Sequence, residues 1–308
     1  MPKLTLTVTN LTPLLTHGAD GDTPELRAPS VRGVLRYWLR TALGAKIGNR
    51  ENVLHDEESR YLGSTGQSSA VSVRVISRGM DANTSGELRV LPERMRQTGF
   101  DPEGEFRIVL TTHPLADWQV LVNSPLLAGL YLMLNLGGLG KRSRRGSGNL
   151  HVLNAKLSQV ADPGNVVDGL AFTPADGAAL AAYLRDMLAE VHRLVPVEFH
   201  DFPTYPTLVP GHARVLVGER PTYTADEALD VLWRTSGPYH HDGGVFGDIR
   251  PRRSSAIHMR VNRSEDGYHP VVTVMRSGER SGNWARMKDF MDRCEDNGFT
   301  RVYGEDWQ

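Results

Sequence analysis

The sequence predicts an α+β protein made of two tandem β-α-β-β-α-β units, the ferredoxin-like (RRM-like) arrangement, with a glycine-rich loop. Three observations predict it. Short apolar-polar alternations read as half-buried strands, helical patterns with their own start and stop signals separate them, and the order of the first half recurs in the second. A chain of 308 residues suits two such units. They are expected at 1–160 and 161–308, divided in "SQVADPGNVVDG", where Pro, Gly and Asp replace periodicity.

In the first unit, "KLTLTVTNL" alternates strictly, with Leu4, Leu6 and Val8 on one face. "APSVRGVLRYWLRTALG" follows as a helix opened by Pro29 and Ser30 and closed by Gly44, with Val31, Val34, Leu35, Trp38, Leu39 and Ala42 in its apolar stripe. Arg32, Arg36 and Arg40 recur every fourth residue, drifting about 40° per step, so they share one flank of that helix. "AVSVRVISR" and "FRIVLTTH" are two further strands. Ser124 caps a helix over 125–136 that is apolar on nearly every face and therefore expected to be buried. "NLHVLNAKL" is the last strand of the unit.

The second unit opens with a leading helix over about 174–194, started by Thr173, Pro174 and Asp176. "ARVLVGE" is a strand, and "TADEALDVLWRTSGP" is a helix with Thr224 and Glu227 as a capping box. "SSAIHMRVNR" and "YHPVVTVMRS" form a hairpin around Asp266 and Gly267, "WARMKDFMDRC" is a helix, and "FTRVYG" a closing strand.

Hydrophobic residues make up 40% and charged residues 23%, with a formal net charge of −1. The chain is no polycation, so any polyanion has to be held by local patches. Cys294 is the single cysteine, which rules out an internal disulfide and a cysteine-based zinc site. The first residues lack the apolar core of a signal peptide, and the 125–136 run falls short of the roughly 20 residues of a membrane span. A cytoplasmic protein with no membrane partner, metal or cofactor is expected.

"GLGKRSRRGSGN" sets Lys141, Arg142, Arg144 and Arg145 among glycines with no acidic residue. Like charges and glycines together predict a loosely ordered loop that an anion would organise. A P-loop would need glycine at Asn135 and Ser or Thr at Arg142. A dinucleotide fingerprint would need glycine at Ser143, and both motifs precede a helix, whereas this loop precedes a strand. The remaining anion is an extended phosphodiester backbone, which Gly140 lets approach and which Ser143 and the four cations can bond. The other reading, a solvated basic loop, loses ground to a second basic segment, "DIRPRRSSAIHMRVNR".

Other candidates carry less. His17 is the residue to consider as a general base in RNA cleavage, though a lone loop histidine is more often a surface or capping group. His240, His241 and Asp242 lack metal-ligand spacing, Asp20 and Asp22 read as solvated loop residues, and Trp38 and Trp233 read as core.

Taken in order, these landmarks resemble the RAMP superfamily of CRISPR-associated proteins. The nearest resemblance is to the Cmr-type (type III-B) effector subunit that caps the tail of the complex near the guide RNA 3′ end. "LTVTNLTPLLTHG" is similar to that family's first strand and Thr-Pro step. "PSVRGVLRYWLR" resembles its Ser-x-Arg-Gly-x-x-Arg-x-Trp helix through Ser30, Arg32, Gly33, Arg36 and Trp38. "YLGST" with "AVSVRV", "NLGGLGKRSRRGSGNL" and "RRSSAIHMRV…YHPVVTVM" resemble its later segments. Ser147, Asn149 and Leu62 depart from it, standing where an aromatic residue, a serine and a phenylalanine are expected.

The resemblance implies a non-catalytic subunit that holds guide and target RNA beside a backbone RAMP subunit, to which cleavage belongs. On matching positions it implies RNA contacts at Arg32, Arg36, Gly140, Lys141, Arg142, Ser143, Arg144 and Arg145, then Arg252 and Arg253. The alternative it leaves open is a metal-independent RAMP endoribonuclease that processes guide precursors, with His17 as base.

Overall fold

The computed structural model describes residues 1–77, 80, 82–83, 98–162, 164, 166–239, 247–249, 252–278 and 284–307; at 83, 247–249 and 252–254 it describes the backbone alone. The first half runs β1 (Lys3–Asn10), α1 (Ala28–Ile47), α2 (Glu51–Leu62), β2 (Val71–Ile76), the short pair β3 (Ala82–Asn83) and β4 (Gly99–Phe100), β5 (Glu105–Thr112), α3 (Pro125–Leu136) and β6 (Leu150–Ser158). The second half runs α4 (Val166–Leu170), α5 (Gly177–Leu194), β7 (Ala213–Gly218), α6 (Ala225–Ser236), the short pair β8 (Gly247–Ile249) and β9 (Arg252–Ser254), β10 (Ile257–Arg263), β11 (Tyr268–Met275), α7 (Trp284–Asp296) and β12 (Phe299–Tyr303).

The chain is an α+β protein with two four-stranded antiparallel sheets, β2-β5-β1-β6 and β10-β11-β7-β12. Counting only these eight strands, each half has the spatial order 4-1-3-2, which two interleaved β-α-β crossovers produce. The expected strands and main helices all form, and several termini follow the sequence logic closely. Ser124 caps α3 by accepting from the Leu126 N–H, and Thr224 and Glu227 close a reciprocal capping box on α6. Helix α5 starts later than expected, at Gly177, because Asp176 takes the cap position and accepts from the Ala179 N–H. Helices α2 and α4 are additions to the expected order.

The two sheets are buried differently. In β1 and β5 the apolar residues alternate with more exposed ones, as in a sheet with one face in the core. In β7 every residue is buried, and β10 and β11 are buried almost throughout. Ala213, Val215, Val217, Val271 and Met275 join a core shared with α1, α3 and α5, while Leu216, Val272 and Val274 join a second core with α6 and α7. Helices α1, α3 and α5 thus lie between the sheets, and the larger core crosses the expected division near residue 160.

Trp38 sits in that core at 1% exposure, and Cys294 is buried in the second, where burial pushes its thiol upward. Helix α3 is buried as its composition predicts. With the turn before it, the stretch Trp118–Leu136 is 19 residues and long and apolar enough to cross a membrane, but 72% of it is buried inside the fold. Its apolarity is accounted for by the core it fills.

His151 on β6 is half-buried, and burial, then the neighbouring charges of Arg263 and Arg260, push its imidazole down to about 4. It is neutral in the fold and titrates near 6.5 when unfolded, so the unfolded chain binds the extra proton between those values. Stability is therefore expected to fall by up to about 3 kcal/mol as pH drops from 6.5 to 4. Urea melts across this range should show the loss, and His151→Gln should remove most of it.

Candidate nucleic-acid interface

The glycine-rich loop follows α3 and leads into β6, and its order comes from backbone bonds on both sides. On one side, the Lys141 N–H donates to the Leu15 carbonyl, the Gly148 N–H to that of Pro13, and the Asn149 carbonyl accepts from Leu11. On the other side the Met259 N–H of β10 donates to the Arg144 carbonyl, and the Asn149 side chain accepts from the Val261 N–H. The loop is therefore wedged between the segment after β1 and a strand of the second half. This corrects the expectation of a loosely ordered loop: the glycines serve close packing. Gly140 has φ +81°, and a Cβ there would lie 2.5 Å from the Leu15 carbonyl oxygen; Gly148, at φ +64°, would collide with Leu139.

Arg260 holds the two ends of the loop. Its buried guanidinium, 3% exposed, donates to the Gly137 carbonyl before the loop, the Leu150 carbonyl after it, and the Asn262 side chain. Gly137 is the C-cap of α3, which has no basic residue in its last turn. The cation that answers that helix end comes from the other half of the chain. Burial pushes Arg260 down to about 9, which leaves it charged at neutral pH. Sequence reasoning counted Arg260 within the second basic segment; it is an interior clamp.

The arginine flank of α1 is divided in its duties. Arg32 and Arg36 donate to the Leu62 carbonyl, and Arg36 also to that of Gly63, so both cap the C-terminal end of α2. Glu58 of α2 is fully buried and pairs with Arg36 at 3.0 Å and Arg40 at 2.6 Å. Arg40 keeps 44% of its side chain exposed and turns into a cleft of about 340 Å³ lined also by Tyr37, Glu51, His55, Arg144 and Tyr205. Arg144 reaches this cleft from the loop, its guanidinium 5.2 Å from the Tyr37 ring centre and bonded to the Ser255 carbonyl.

Arg144, Tyr37 and Arg40 thus line one cleft between the loop and the helix flank, although Arg40, like Arg36, is paired to Glu58 of α2, and Arg32 and Arg36 bond the end of that helix. Among the other loop residues, Lys141 is exposed; Arg142, in the left-handed region at φ +58°, Ser143 and Arg145 are half-buried. Burial and the nearby charge of Arg142 lower Arg145. For Arg252 and Arg253 only the backbone of β9 is described, and Arg250, His240, His241 and Asp242 lie outside the described residues. No cluster of three or more His, Cys, Asp or Glu able to hold a metal occurs among the described residues. His17 places its Nε2 2.9 Å from the Thr98 hydroxyl. Tyr37 and Tyr205 were not singled out from sequence; Tyr37 lies between Arg36 and the core residue Trp38, where helical spacing alone assigns it to neither face.

Residues 7–151, which hold the first sheet, the arginine helix and the loop, match the model of the RAMP superfamily. Over that stretch, just under half of its length, the chain carries the RAMP superfamily pattern. The chain is similar to two curated relatives from Pyrococcus furiosus. It is 28% identical to the Cmr subunit Cmr1-2, over 46% of this chain and 90% of that one. It is 29% identical to Cmr1-1, over 52% of this chain and 48% of that one. Its fold resembles the crystal structure of apo Cmr1 from Pyrococcus furiosus, with a TM-score of 0.69 at 20% identity, covering 98% of this chain and 99% of the other. It also resembles a chain in a cryo-EM structure of the type III-B Cmr-β complex bound to cognate target RNA, with a TM-score of 0.64 at 10% identity, covering 100% and 96%. The fold is Cmr1-like.

Replacing Arg260 by Leu leaves two buried carbonyls without donors and is expected to destabilise the fold by about 3 kcal/mol or more. Arg260→Lys should rescue little, because one ammonium on a flexible stem does not reproduce the fork that spans both carbonyls. Equilibrium denaturation of the two variants against the parent chain checks both statements.

Proposed function

We propose that this protein is the Cmr1-type subunit of a type III-B CRISPR effector, and that it holds single-stranded guide or target RNA without cleaving it. In this reading its halves are two ferredoxin-like units, at 1–160 and 161–308, and it caps one end of a backbone of RAMP subunits in the cytoplasm. The observation that carries the reading is the meeting of Arg144, Tyr37 and Arg40 in one cleft beside the basic loop. Guanidinium planes and tyrosine rings offer faces to an unpaired base, while Lys141, Arg142 and Arg145, with Gly140 and Ser143, offer charge and hydrogen bonds to phosphates. Such contacts grip the backbone and leave sequence to base pairing. Arg252 and Arg253 extend the basic surface in this reading, and Arg32 and Arg36 contribute by fixing α2 along one wall of the cleft.

Binding of an unstructured RNA should weaken with salt at a log–log slope of roughly −0.7 for each phosphate neutralised. The combined variant Arg142→Ala, Arg144→Ala, Arg145→Ala should lose about two units of that slope in fluorescence anisotropy titrations. An unchanged slope removes the loop from the interface. Incubation with labelled repeat RNA in EDTA should give no cleavage product. A product lost on His17→Ala would establish the endoribonuclease reading instead.

A further inference from the structure

The second sheet is covered on both faces, whereas among the described residues no helix or strand packs on the outer face of the first. Its register places four cations on that open face. Arg74, Val109, Thr5 and Lys156 form one row straight across β2, β5, β1 and β6. Lys3 stands two residues along β1 from Thr5, and Arg107 two residues along β5 from Val109, in the opposite direction across the row. Lys3, Arg74, Arg107 and Lys156 are all exposed, and none has an ion pair or side-chain hydrogen bond among the described residues. Some other arginines are engaged by a carboxylate, as Arg60 is by Glu57, Arg193 by Glu190 and Arg286 by Asp289.

Strand spacing and rise give the four charges a rectangle with diagonals of about 14 Å and sides of about 8 and 12 Å. The sides lie on either side of the Debye length of about 10 Å at 0.1 M salt, so neighbouring charges still share one positive field. Glu105 is the one acidic residue of the eight-residue β5, at its far end. A free sheet gains nothing from this arrangement, since like charges on one face repel.

We propose that the open face of the first sheet is a second RNA-binding surface, separate from the loop and its cleft, that takes the phosphodiester backbone of a single strand. The inference rests on the reading of the protein as an RNA-holding subunit. Charge complementarity selects a polyanion, and the residues between the cations, Thr5, Thr7 and Thr111, are small hydroxyl donors suited to phosphate and 2′-hydroxyl oxygens. Aromatic anchors are absent from the described strand residues facing out, so the face binds backbone and does not stack bases. An acidic protein partner fits less well. The face spans about 400 Å², about half the 800 Å² a stable protein interface takes from each side, and lacks the aromatic residues that dominate such contacts.

The test compares the full-length chain, the loop variant above and a sheet variant, Lys3→Gln, Arg74→Gln, Arg107→Gln, Lys156→Gln, binding fluorescein-labelled polyuridine across a salt series. The sheet variant should lose two to three units of slope and bind roughly ten- to a hundredfold more weakly at 0.1 M salt. Its melting temperature should equal or exceed that of the parent, because mutual repulsion is relieved. If it proves unstable, the edge-strand pair Arg74→Gln, Lys156→Gln, expected to lose about 1.4 units, decides the matter. Unchanged slope and affinity overturn the proposal, and if the loop variant alone loses RNA the loop reading still stands. A sheet variant that keeps RNA but no longer co-purifies with other effector subunits also overturns it, in favour of an acidic protein partner. Loss in the sheet variant with an unchanged loop variant upholds this surface and removes the loop.

Discussion

One buried guanidinium sets the geometry of this protein. Arg260 is withdrawn from water on the second sheet and finds its acceptors in the first half, at the carbonyls on either side of the glycine-rich loop. A charge in that place is costly unless fully bonded, so the position of β10 against α3 is fixed to within hydrogen-bond tolerance. The neighbouring polar residues of β10 follow suit. His258 meets the Tyr37 hydroxyl at 3.1 Å, and Asn262 donates to the Asn135 carbonyl. The seam between the halves is thus polar and directional, whereas the core beyond it is apolar and shared. Directional bonds specify one docking; the apolar core supplies most of the driving force.

The seam also explains why the loop carries so many glycines. A loop that must thread between two backbones and still project four cations has room for side chains on one side only. Gly140 and Gly148 take the crowded positions, and the charged residues fall between them. Asn149 is buried and accepts from the Val261 N–H, so its amide belongs to the seam.

Much of the fold was legible in the sequence because period and capping are local signals. The strict alternation of "KLTLTVTNL" and the Thr224–Glu227 box needed no tertiary information. Helix α2 was not legible: "ENVLHDEESRYL" has a polar surface and one critical carboxylate, Glu58, whose burial makes sense only beside Arg36 and Arg40. The loop was recognised, but its order was misjudged, because its bonds go to residues 11–15 and 259–261, remote in sequence. The same remoteness hid the inward turn of Arg260, which composition alone could not separate from the other arginines of its segment. At the candidate site, charge was readable and Tyr37 was not, since one aromatic residue in a helix gives no periodic signal.

The parallel bridge between Arg145 and Met259 makes the loop a strand-like splint across the two halves. Whatever occupies the loop's cations is therefore in mechanical contact with the joint, and occupancy and docking are thermodynamically linked: a ligand that prefers the docked loop tightens the joint by the same free energy with which the joint tightens the ligand. The protein is in this sense a latch whose keeper and bolt come from opposite halves of one chain.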